Sequence, residues 1–400
     1  MLEDKNVIIG ITGGIAAYKA VEIVSSLTKL GANVEVIMTE SAAEFVQPLT
    51  FQSISHNPVR QNMFGAPENW DVEHISLAQK ADLVLIAPGT ANIIGKLANG
   101  IADDMLSTTI MATTAPVLIA PAMNTKMYEN PIVQDNINYL KEYGYKFIEA
   151  DSGYLACGTV GKGRLPDPQE IVKQSVIYLL SSEDFTDKKI LVTAGGTEEE
   201  LDPVRYLGNH STGKMGYHLA RAAQVMGAEV TLVSAPTKLN KPPGLELVNV
   251  KTAQEMYEEV MELHNSQDVI IMAAAVADYR PKKKQKEKLK KEQGDLTLAL
   301  ERTTDILAQL GQETNEGQSL VGFAAETEDL LANAKKKLVQ KRVDLIIAND
   351  ISDSEIGFAS DKNQVTLLSA GEEKKIEKAA KIKIAIQILD YLAENILTKE

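Results

Sequence analysis

Short apolar runs alternate with amphipathic stretches along this chain, and glycine pairs separate them. Residues 6–12 form an apolar run that ends at Gly13 and Gly14, and an amphipathic helical pattern follows as far as Gly31. A second apolar run, 33–38, completes the pattern. This order of strand, glycine turn, helix and strand is typical of a parallel sheet, because both faces of its strands are buried.

The same pattern returns in the second half of the chain. Residues 189–194 form an apolar run before Gly195 and Gly196, a helix is predicted from about Gly213, and 229–234 form the next strand. The pattern therefore predicts an α/β fold with two Rossmann-like, doubly wound parallel-sheet domains in tandem.

A polar, acidic segment at 181–187 predicts the domain boundary, with one domain over 1–182 and the other over 187–400. Further buried strands are predicted at 82–87, 116–120, 268–273, 319–324 and 344–348. Unusual polar loops follow several of these strands. Since open α/β sheets bind ligands at the carboxyl ends of their strands, each domain is expected to carry a site there.

The balance of charge limits the partners of this chain. Its 41 basic and 55 acidic residues give a net charge of −14, which argues against general affinity for nucleic acid or anionic membranes. The longest apolar run, 269–277, is too short to span a bilayer. The first residues lead directly into a strand, so no signal peptide is expected and the protein is predicted to be cytoplasmic.

Few residues of this chain are suited to metal or disulfide chemistry. The chain has one cysteine, Cys157, so it cannot form an intramolecular disulfide or a cysteine-based metal cluster. Its five histidines show no H-x-x-x-H or H-x-H spacing, so a zinc enzyme is not expected. Demanding chemistry would therefore depend on a bound organic cofactor or a nucleotide.

Two glycine-containing loops are candidates for phosphate binding. Gly13 and Gly14 let the backbone approach an anion at a helix N-terminus, but neither half has G-x-G-x-x-G; a mononucleotide phosphate is favoured, with a tight turn as the alternative. The segment 208–214 fits G-x-x-x-x-G-K, yet Met215 stands where a P-loop needs Ser or Thr, and a loop with Pro203 precedes it. It is interpreted as a helix N-terminus that either binds phosphate or is simply capped.

Three further features have more than one interpretation. Seven lysines lie within 282–291, and this run is either a solvated loop or a clamp for a polyphosphate; nucleic-acid binding is disfavoured because no aromatic residue interleaves with the lysines. Cys157 lies in a glycine-rich stretch at 153–164, which favours a mobile lid that presents a thiol over a small buried side chain. His74 begins an amphipathic helical stretch and is either a surface residue or a base.

Taken together, these segments resemble the bifunctional bacterial enzymes that make 4′-phosphopantetheine for coenzyme A. The resemblance covers nearly the whole chain. It implies a flavin-dependent phosphopantothenoylcysteine decarboxylase over 1–182 and a phosphopantothenate–cysteine ligase over 187–400. CTP-dependent ligation of L-cysteine to 4′-phosphopantothenate would precede FMN-dependent decarboxylation. The resemblance also implies a homo-oligomer, with a dodecamer built from decarboxylase trimers and ligase dimers.

The first half is similar to homo-oligomeric flavin-containing cysteine decarboxylases. His74 falls on that family's active-site histidine, Asn124 on the residue that grips the substrate carboxylate, and Cys157 on the catalytic cysteine of the substrate lid. The residues that the resemblance assigns to FMN are Gly13, Gly14, Ile15, Thr39, Thr90, Ala91, Asn92 and Ser107.

The second half is similar to the CTP-dependent ligases. Asn209 falls on the asparagine that resolves the acyl-cytidylate intermediate, and Lys288 falls on the catalytic lysine, which favours a clamp at the lysine run. Besides Lys288, the implied CTP contacts are Met272, Ala273, Ala274, Asp278, Thr304, Asp305, Ile306, Leu307, Phe323, Lys337 and Lys341. Mg²⁺ is expected mainly on the CTP phosphates, and no protein ligand for it is assigned.

One segment departs from the family pattern. Thr303 and Thr304 stand where Asn-Pro is usual, ahead of Asp305 and Ile306, so this loop is expected to be freer and the preference for CTP over ATP is left to experiment. The repeated α/β pattern also fits an NAD(P)-dependent two-domain oxidoreductase, against which the missing G-x-G-x-x-G argues. The second alternative is a non-enzymatic protein that binds a nucleotide or nucleic acid through the lysine run, and the net charge argues against it.

Overall fold

The chain divides into two compact units, Met1–Leu180 and Ser181–Glu400. The computed structural model describes residues 1–63, 72–154, 158, 160–182, 184–289, 296–326, 330–350 and 360–397. No helix within these residues has the length and apolar character that crossing a membrane requires.

Unit 1 alternates strands and helices, as its apolar runs predict. Its strands are β1 (Asn6–Ile11), β2 (Asn33–Met38), β3 (Val59–Arg60), β4 (Leu83–Gly89), β5 (Val117–Pro121), β6 (Lys146–Phe147), β7 (Asp151–Tyr154) and β8 (Val160–Arg164). Its helices are α1 (Ala17–Lys29), α2 (Glu40–Ala43), α3 (Pro48–Ser55), α4 (Glu73–Lys80), α5 (Ala91–Ala98), α6 (Met105–Ala112), α7 (Thr125–Tyr128), α8 (Pro131–Glu142) and α9 (Pro168–Leu180).

The described strands β1 to β6 form one sheet in the order β3-β2-β1-β4-β5-β6, and all neighbouring pairs are parallel. Side chains such as Ile8, Val84 and Ile119 fill the core beneath the helices, which accounts for the uninterrupted apolar runs. The strand order reverses between β1 and β4. A crevice for a ligand is expected there, at the carboxyl ends of the two strands.

The glycine-rich stretch to which the sequence analysis assigned no strand contains the antiparallel pair β7 and β8. A Cβ on Gly161 would lie 2.5 Å from the hydroxyl of Thr125, and one on Gly163 would lie 2.6 Å from the carbonyl oxygen of Met123. The Met123 N–H donates to the Gly163 carbonyl at 2.9 Å. The glycines therefore let this hairpin pack directly on the loop that carries Asn124.

Unit 2 begins with a segment that the sequence suggests is a polar linker, but Phe185 is buried in this unit and its N–H donates to the Met226 carbonyl at 2.7 Å. The strands of unit 2 are β9 (Lys189–Ala194), β10 (Glu198–Glu200), β11 (Tyr206–Gly208), β12 (Glu229–Ser234), β13 (Glu246–Asn249), β14 (Val269–Met272), β15 (Tyr279–Pro281), β16 (Leu300–Arg302), β17 (Ser319–Glu326), β18 (Leu345–Asp350), β19 (Lys362–Ser369) and β20 (Glu372–Ala380). Its helices are α10 (Lys214–Val225), α11 (Ala253–Leu263), α12 (Ile306–Glu313), α13 (Leu330–Gln340) and α14 (Lys381–Leu392).

The main sheet of unit 2 has the order β13-β12-β9-β14-β17-β18-β19-β20. It is parallel from β13 to β18, which confirms the predicted fold class, and β19 and β20 add an antiparallel edge that the apolar pattern did not predict. The strand order reverses at β9, between β12 and β14. The carboxyl ends of β9 and β14 are therefore the expected ligand site of this unit.

The segment before Asn209 was expected to be a loop rather than a strand, and this is wrong. β11 precedes Asn209 directly and pairs with β10 in an antiparallel hairpin. The hairpin turn is stabilised by the Asp202 carboxylate, which accepts hydrogen bonds from the N–H groups of Val204 and Arg205 at 2.8 and 2.9 Å. A strand held by a side-chain contact of this kind has no apolar signal of its own.

Candidate active sites

A cavity of about 1270 Å³ opens at the carboxyl edge of the unit 1 sheet. Its wall includes Gly13 after β1, Thr39 after β2, Thr90 after β4 and Asn124 after β5. It therefore lies where the strand order reverses, as expected for a ligand site in an open α/β sheet.

Most of the residues that the resemblance assigns to FMN line this cavity, namely Gly13, Gly14, Ile15, Thr39, Thr90, Ala91 and Asn92. The side chain of Ser107 is instead fully buried at the start of α6. Its hydroxyl donates to the carboxylate of Asp104 at 2.8 Å, and its N–H donates to the same carboxylate at 2.8 Å. Ser107 thus fixes the start of a helix whose first residues, Met105 and Leu106, line the cavity.

The two glycines after β1 have different surroundings. A Cβ on Gly13 would lie 2.4 Å from the Cβ of Ser41, so this position must be glycine for the β1 and β2 loops to meet. A Cβ on Gly14 would meet only the Cγ2 of Thr90, at 3.8 Å, among the described atoms. Because Gly14 lines the cavity, a side chain there would occupy cavity space without a clash in the protein.

A hydrogen-bond chain joins the turns after β1 and β4. The hydroxyl of Thr12 donates to the carbonyl of Pro88 at 2.6 Å and accepts from the N–H of Thr90 at 3.3 Å. The hydroxyl of Thr90 in turn caps α5. These contacts hold the two turns together.

Charged side chains that the sequence analysis did not single out also line the cavity. Lys96 lies 2.6 Å from the carboxylate of Asp103 and 2.7 Å from that of Asp104. Burial alone would raise the pKa of Asp104, but hydrogen bonds from Lys96 and the backbone of α6 outweigh it and lower the pKa. Burial, followed by repulsion from Arg164, lowers the pKa of Lys19. Lys19 lies on the helix after the glycine pair, which is the sequence signal that could have identified it.

The structure describes two of the three residues proposed for catalysis in the first half. Asn124 lines the cavity, and its side-chain oxygen accepts from the N–H of Lys126 at 2.8 Å, which fixes the start of α7. His74 is half-buried near the start of α4 and is not among the described residues that line the cavity. Cys157 lies outside the described residues. Tyr154, at the end of β7, lines the cavity.

In unit 2, the turn after β9 packs against the segment that continues β14. A Cβ on Gly195, whose φ is 83°, would lie 2.5 Å from the carbonyl oxygen of Ala235, and one on Gly196 would lie 2.9 Å from that of Asn209. The N–H of Ala275 donates to the Gly195 carbonyl at 2.8 Å. Glycine at both positions permits this close approach of three chain segments.

The same edge brings Asn209 to the residues after β14. The side-chain amide of Asn209 donates to the carbonyl of Val276 at 2.9 Å, and the N–H of Ala274 donates to the hydroxyl of Thr193 at 3.1 Å. The proposed nucleotide residues Met272, Ala273 and Ala274 and the proposed catalytic Asn209 therefore belong to one cluster.

The loop with threonines in place of Asn-Pro is tied to this cluster rather than freed. Thr303 donates its N–H to the carbonyl of Asp278 at 3.0 Å and its hydroxyl to the carbonyl of Ala277 at 2.6 Å. Asp305 accepts from the N–H of Ala308 at 3.1 Å to cap α12, and it lies 3.0 Å from the ammonium of Lys341. One backbone and one side-chain hydrogen bond from Thr303 therefore hold this loop.

Several proposed nucleotide residues present little side chain to solvent. Met272, Ile306 and Leu307 are buried, and Leu307 packs over Gly322, where a Cβ would lie 2.6 Å from its methyl group. All three belong to the buried hydrophobic core of unit 2. Phe323, Lys337 and Lys341 are half-buried, whereas Asp278, Lys288 and Thr304 are more accessible. Among the described residues, no group of three or more His, Cys, Asp or Glu side chains is arranged to hold a metal ion.

Comparison with known proteins assigns the family. A model described as DNA/pantothenate metabolism flavoprotein C-terminal domain matches residues 185–396, and one described as flavoprotein matches residues 1–179. The coenzyme A biosynthesis bifunctional protein CoaBC of Bacillus subtilis (strain 168) is 49% identical over 98% of both chains. That of Borreliella burgdorferi is 44% identical over 98% of this chain and the whole of its own. A solved C-terminal domain of CoaBC is 42% identical and covers 52% of this chain and 97% of its own, with a TM-score of 0.45. The chain belongs to the family of coenzyme A biosynthesis bifunctional proteins, CoaBC.

Proposed function

We propose that this chain catalyses two consecutive steps of coenzyme A biosynthesis. Unit 2 would join L-cysteine to 4′-phosphopantothenate with CTP, and unit 1 would decarboxylate the resulting 4′-phosphopantothenoylcysteine to 4′-phosphopantetheine. The observation that carries the proposal is the 49% identity to a bifunctional relative across both units. The NAD(P)-dependent oxidoreductase considered above has no support among these relatives.

The cavity of unit 1 fits FMN. Its volume of about 1270 Å³ accommodates a cofactor together with a substrate. Gly14 leaves a gap that a Cβ would fill, and the backbone of Gly13 to Ile15 can approach a phosphate at the start of α1. The hydroxyls of Thr39 and Thr90 and the amide of Asn92 would complete the binding set. FMN supplies reversible two-electron oxidation, which makes loss of the substrate carboxylate possible without net redox change.

Replacing Gly14 tests whether FMN binds in the unit 1 cavity, because a Cβ there clashes with no described atom of the protein. Gly14→Val is expected to fold as the parent does but to lose bound flavin, because its side chain enters open cavity space. Absorbance near the flavin bands after gel filtration measures the loss. Gly95→Ala on α5 is the matched control, since a Cβ there would lie 3.9 Å from its nearest neighbour. Full flavin content in Gly14→Val would contradict the placement.

The resemblance leads us to propose Asn124 as the group that grips the substrate carboxylate, His74 as an active-site histidine and Cys157 as the acid of the last step. Cys157→Ser is expected to retain flavin and to release CO₂, because neither event needs this acid. The product should remain lighter than 4′-phosphopantetheine by two hydrogen atoms, which mass spectrometry detects. Normal product at a normal rate would exclude the acid role.

In unit 2 the carboxylate of 4′-phosphopantothenate would attack the α-phosphate of CTP, and diphosphate would leave. Cysteine's amine would then displace CMP from the acyl-cytidylate. Lys288, Lys337, Lys341 and Mg²⁺ would balance the charge on the phosphates. The ion pair with Asp305 holds Lys341 in place for this task.

Diphosphate release in the absence of cysteine tests the activation step on its own. The proposal predicts release that depends on both 4′-phosphopantothenate and CTP, and comparison with ATP measures nucleotide preference in a chain with Thr303 and Thr304. Release that does not depend on 4′-phosphopantothenate would overturn the proposal. By the same resemblance we propose a cytoplasmic homo-oligomer with the dodecameric assembly of the family.

A further inference from the structure

The carboxylate of Asp202 is fully buried and accepts hydrogen bonds on both oxygens. One oxygen accepts from the N–H groups of Val204 and Arg205. The other accepts from the guanidinium of Arg205, at 3.0 and 2.5 Å, and from the N–H of Leu289 at 3.1 Å. Hydrogen bonds from Arg205 outweigh the effect of burial and hold the pKa of Asp202 well below its usual range.

The second oxygen of Asp202 binds the backbone of the lysine run at Leu289. Arg205 donates to the carbonyl of Leu289 at 3.0 Å, so the Asp202–Arg205 pair binds both the N–H and the carbonyl of the residue next to Lys288. Earlier in the run, the N–H of Gln285 donates to the carbonyl of Leu201 at 3.0 Å, and Lys284 pairs with Glu200. Hydrogen bonds from Lys251 and Lys284 lower the pKa of Glu200 to about 2. The backbone of the run is therefore bound to the β10–β11 turn at Gln285 and Leu289, whereas the side chains of Lys286 and Lys288 are exposed.

The first oxygen holds the other segment of the site. It closes the turn between β10 and β11, and β11 leads directly into Asn209. One carboxylate thus connects the segment that carries Lys288 with the segment that carries Asn209. In the proposed function these residues serve the two half-reactions of the ligase.

We propose that Asp202 is the positioning residue of the ligase site, which sets Lys288 through Leu289 and sets Asn209 through the β10–β11 turn. Its substitution should separate these two effects, since each oxygen serves one segment. The inference rests on the proposed ligase function.

Asp202→Asn is the informative substitution. The amide has a single acceptor oxygen, so its nitrogen places a donor against one of the two sets of N–H groups. In either orientation the negative charge that binds the Arg205 guanidinium and the N–H of Leu289 is lost. Loss of a buried, charge-assisted contact is expected to slow diphosphate release about 30-fold. Attack of cysteine on supplied phosphopantothenoyl-cytidylate should change less than about 3-fold, because the turn before Asn209 persists. Asp202→Ala removes both contacts and should slow both half-reactions.

Trypsin cleavage supplies a readout that does not depend on activity. Trypsin should cleave after the lysines of 282–288 at least about 10-fold faster in Asp202→Asn. The reason is that this segment must leave its contacts with the β10–β11 turn to enter the protease. Asp344→Asn is the matched control, since its carboxylate accepts from the N–H of Leu320 at 2.8 Å at the opposite edge of the sheet. Its cleavage pattern and both half-reactions should match the parent.

The possible results test the positioning role of Asp202, the separation between its two oxygens and the proposed function of unit 2 one by one. Unchanged cleavage in Asp202→Asn, or faster cleavage with unchanged diphosphate release, would overturn the positioning role. An equal loss of both half-reactions in Asp202→Asn would overturn the separation between the two oxygens. Failure of the parent protein to release diphosphate would instead reject the proposed function, and the cleavage rates would then still decide whether Asp202 docks the lysine run.

Discussion

Lys288→Gln is expected to reduce CTP-dependent diphosphate release at least about 100-fold, which is typical for loss of one group that stabilises transition-state charge. Lys288 is exposed, yet the chain at its neighbour Leu289 is fixed by Asp202 and Arg205, so the lysine is presented from a held backbone. The neutral amide of glutamine is one atom shorter than the lysine side chain and stays polar, but it removes the charge that the leaving diphosphate needs. Initial rates of diphosphate release, measured without cysteine, give the effect directly.

Lys286→Gln is the matched control, because Lys286 is also exposed and belongs to the same run. It should retain diphosphate release within about 3-fold, as expected for a solvated surface charge. Decarboxylation of supplied 4′-phosphopantothenoylcysteine should be unaffected in both variants. Equal losses in the two variants would show that the run acts through its total charge, and loss of both activities in Lys288→Gln would indicate misfolding.

Asn209→Asp is expected to reduce cysteine transfer about 100-fold while diphosphate release continues, so that phosphopantothenoyl-cytidylate accumulates. The amide of Asn209 donates to the carbonyl of Val276 at 2.9 Å. A carboxylate would place an acceptor against that carbonyl and add negative charge where CMP departs. Mass spectrometry of the quenched reaction detects the intermediate.

Asn315→Asp is the control for the Asn209 prediction. The amide of Asn315 also makes a side-chain hydrogen bond, to Asn265 at 3.0 Å, and it lies before β17, at the amino edge of the sheet. No intermediate should accumulate in that variant. If Asn209→Asp loses diphosphate release as well, Asn209 acts in the activation step and not only in the transfer.

The parts of the fold that the sequence predicts are those with long apolar runs. The strands β1, β2, β9 and β12 lie in sheets that are buried on both faces. Their apolar runs therefore predict both the presence of a strand and the residues at which it begins and ends. The strands β7, β8, β10 and β11 are short and polar, so they have no apolar run of their own. Thr125, from another part of unit 1, packs against the first hairpin, and Asp202 closes the turn of the second through the N–H groups of Val204 and Arg205.

The candidate sites divide in the same way. The glycine turns after β1 and β9 follow apolar strands, so their place at the carboxyl edges could be predicted. The burial of Ser107, Ile306 and Leu307 could not, because it depends on which helix covers which strand. Likewise, the lysine run shows no partner in the sequence, and its docking on Glu200 and Asp202 requires residues that lie about 80 positions away in the chain.

The central claim, that one chain ligates and then decarboxylates, is tested by a single reaction. Purified protein is incubated with 4′-phosphopantothenate, L-cysteine, Mg²⁺ and CTP, and the products are identified by mass spectrometry. The account predicts 4′-phosphopantetheine together with CMP and diphosphate. Arrest at 4′-phosphopantothenoylcysteine would contradict the decarboxylase half, and the absence of any cysteine adduct would contradict the ligase half.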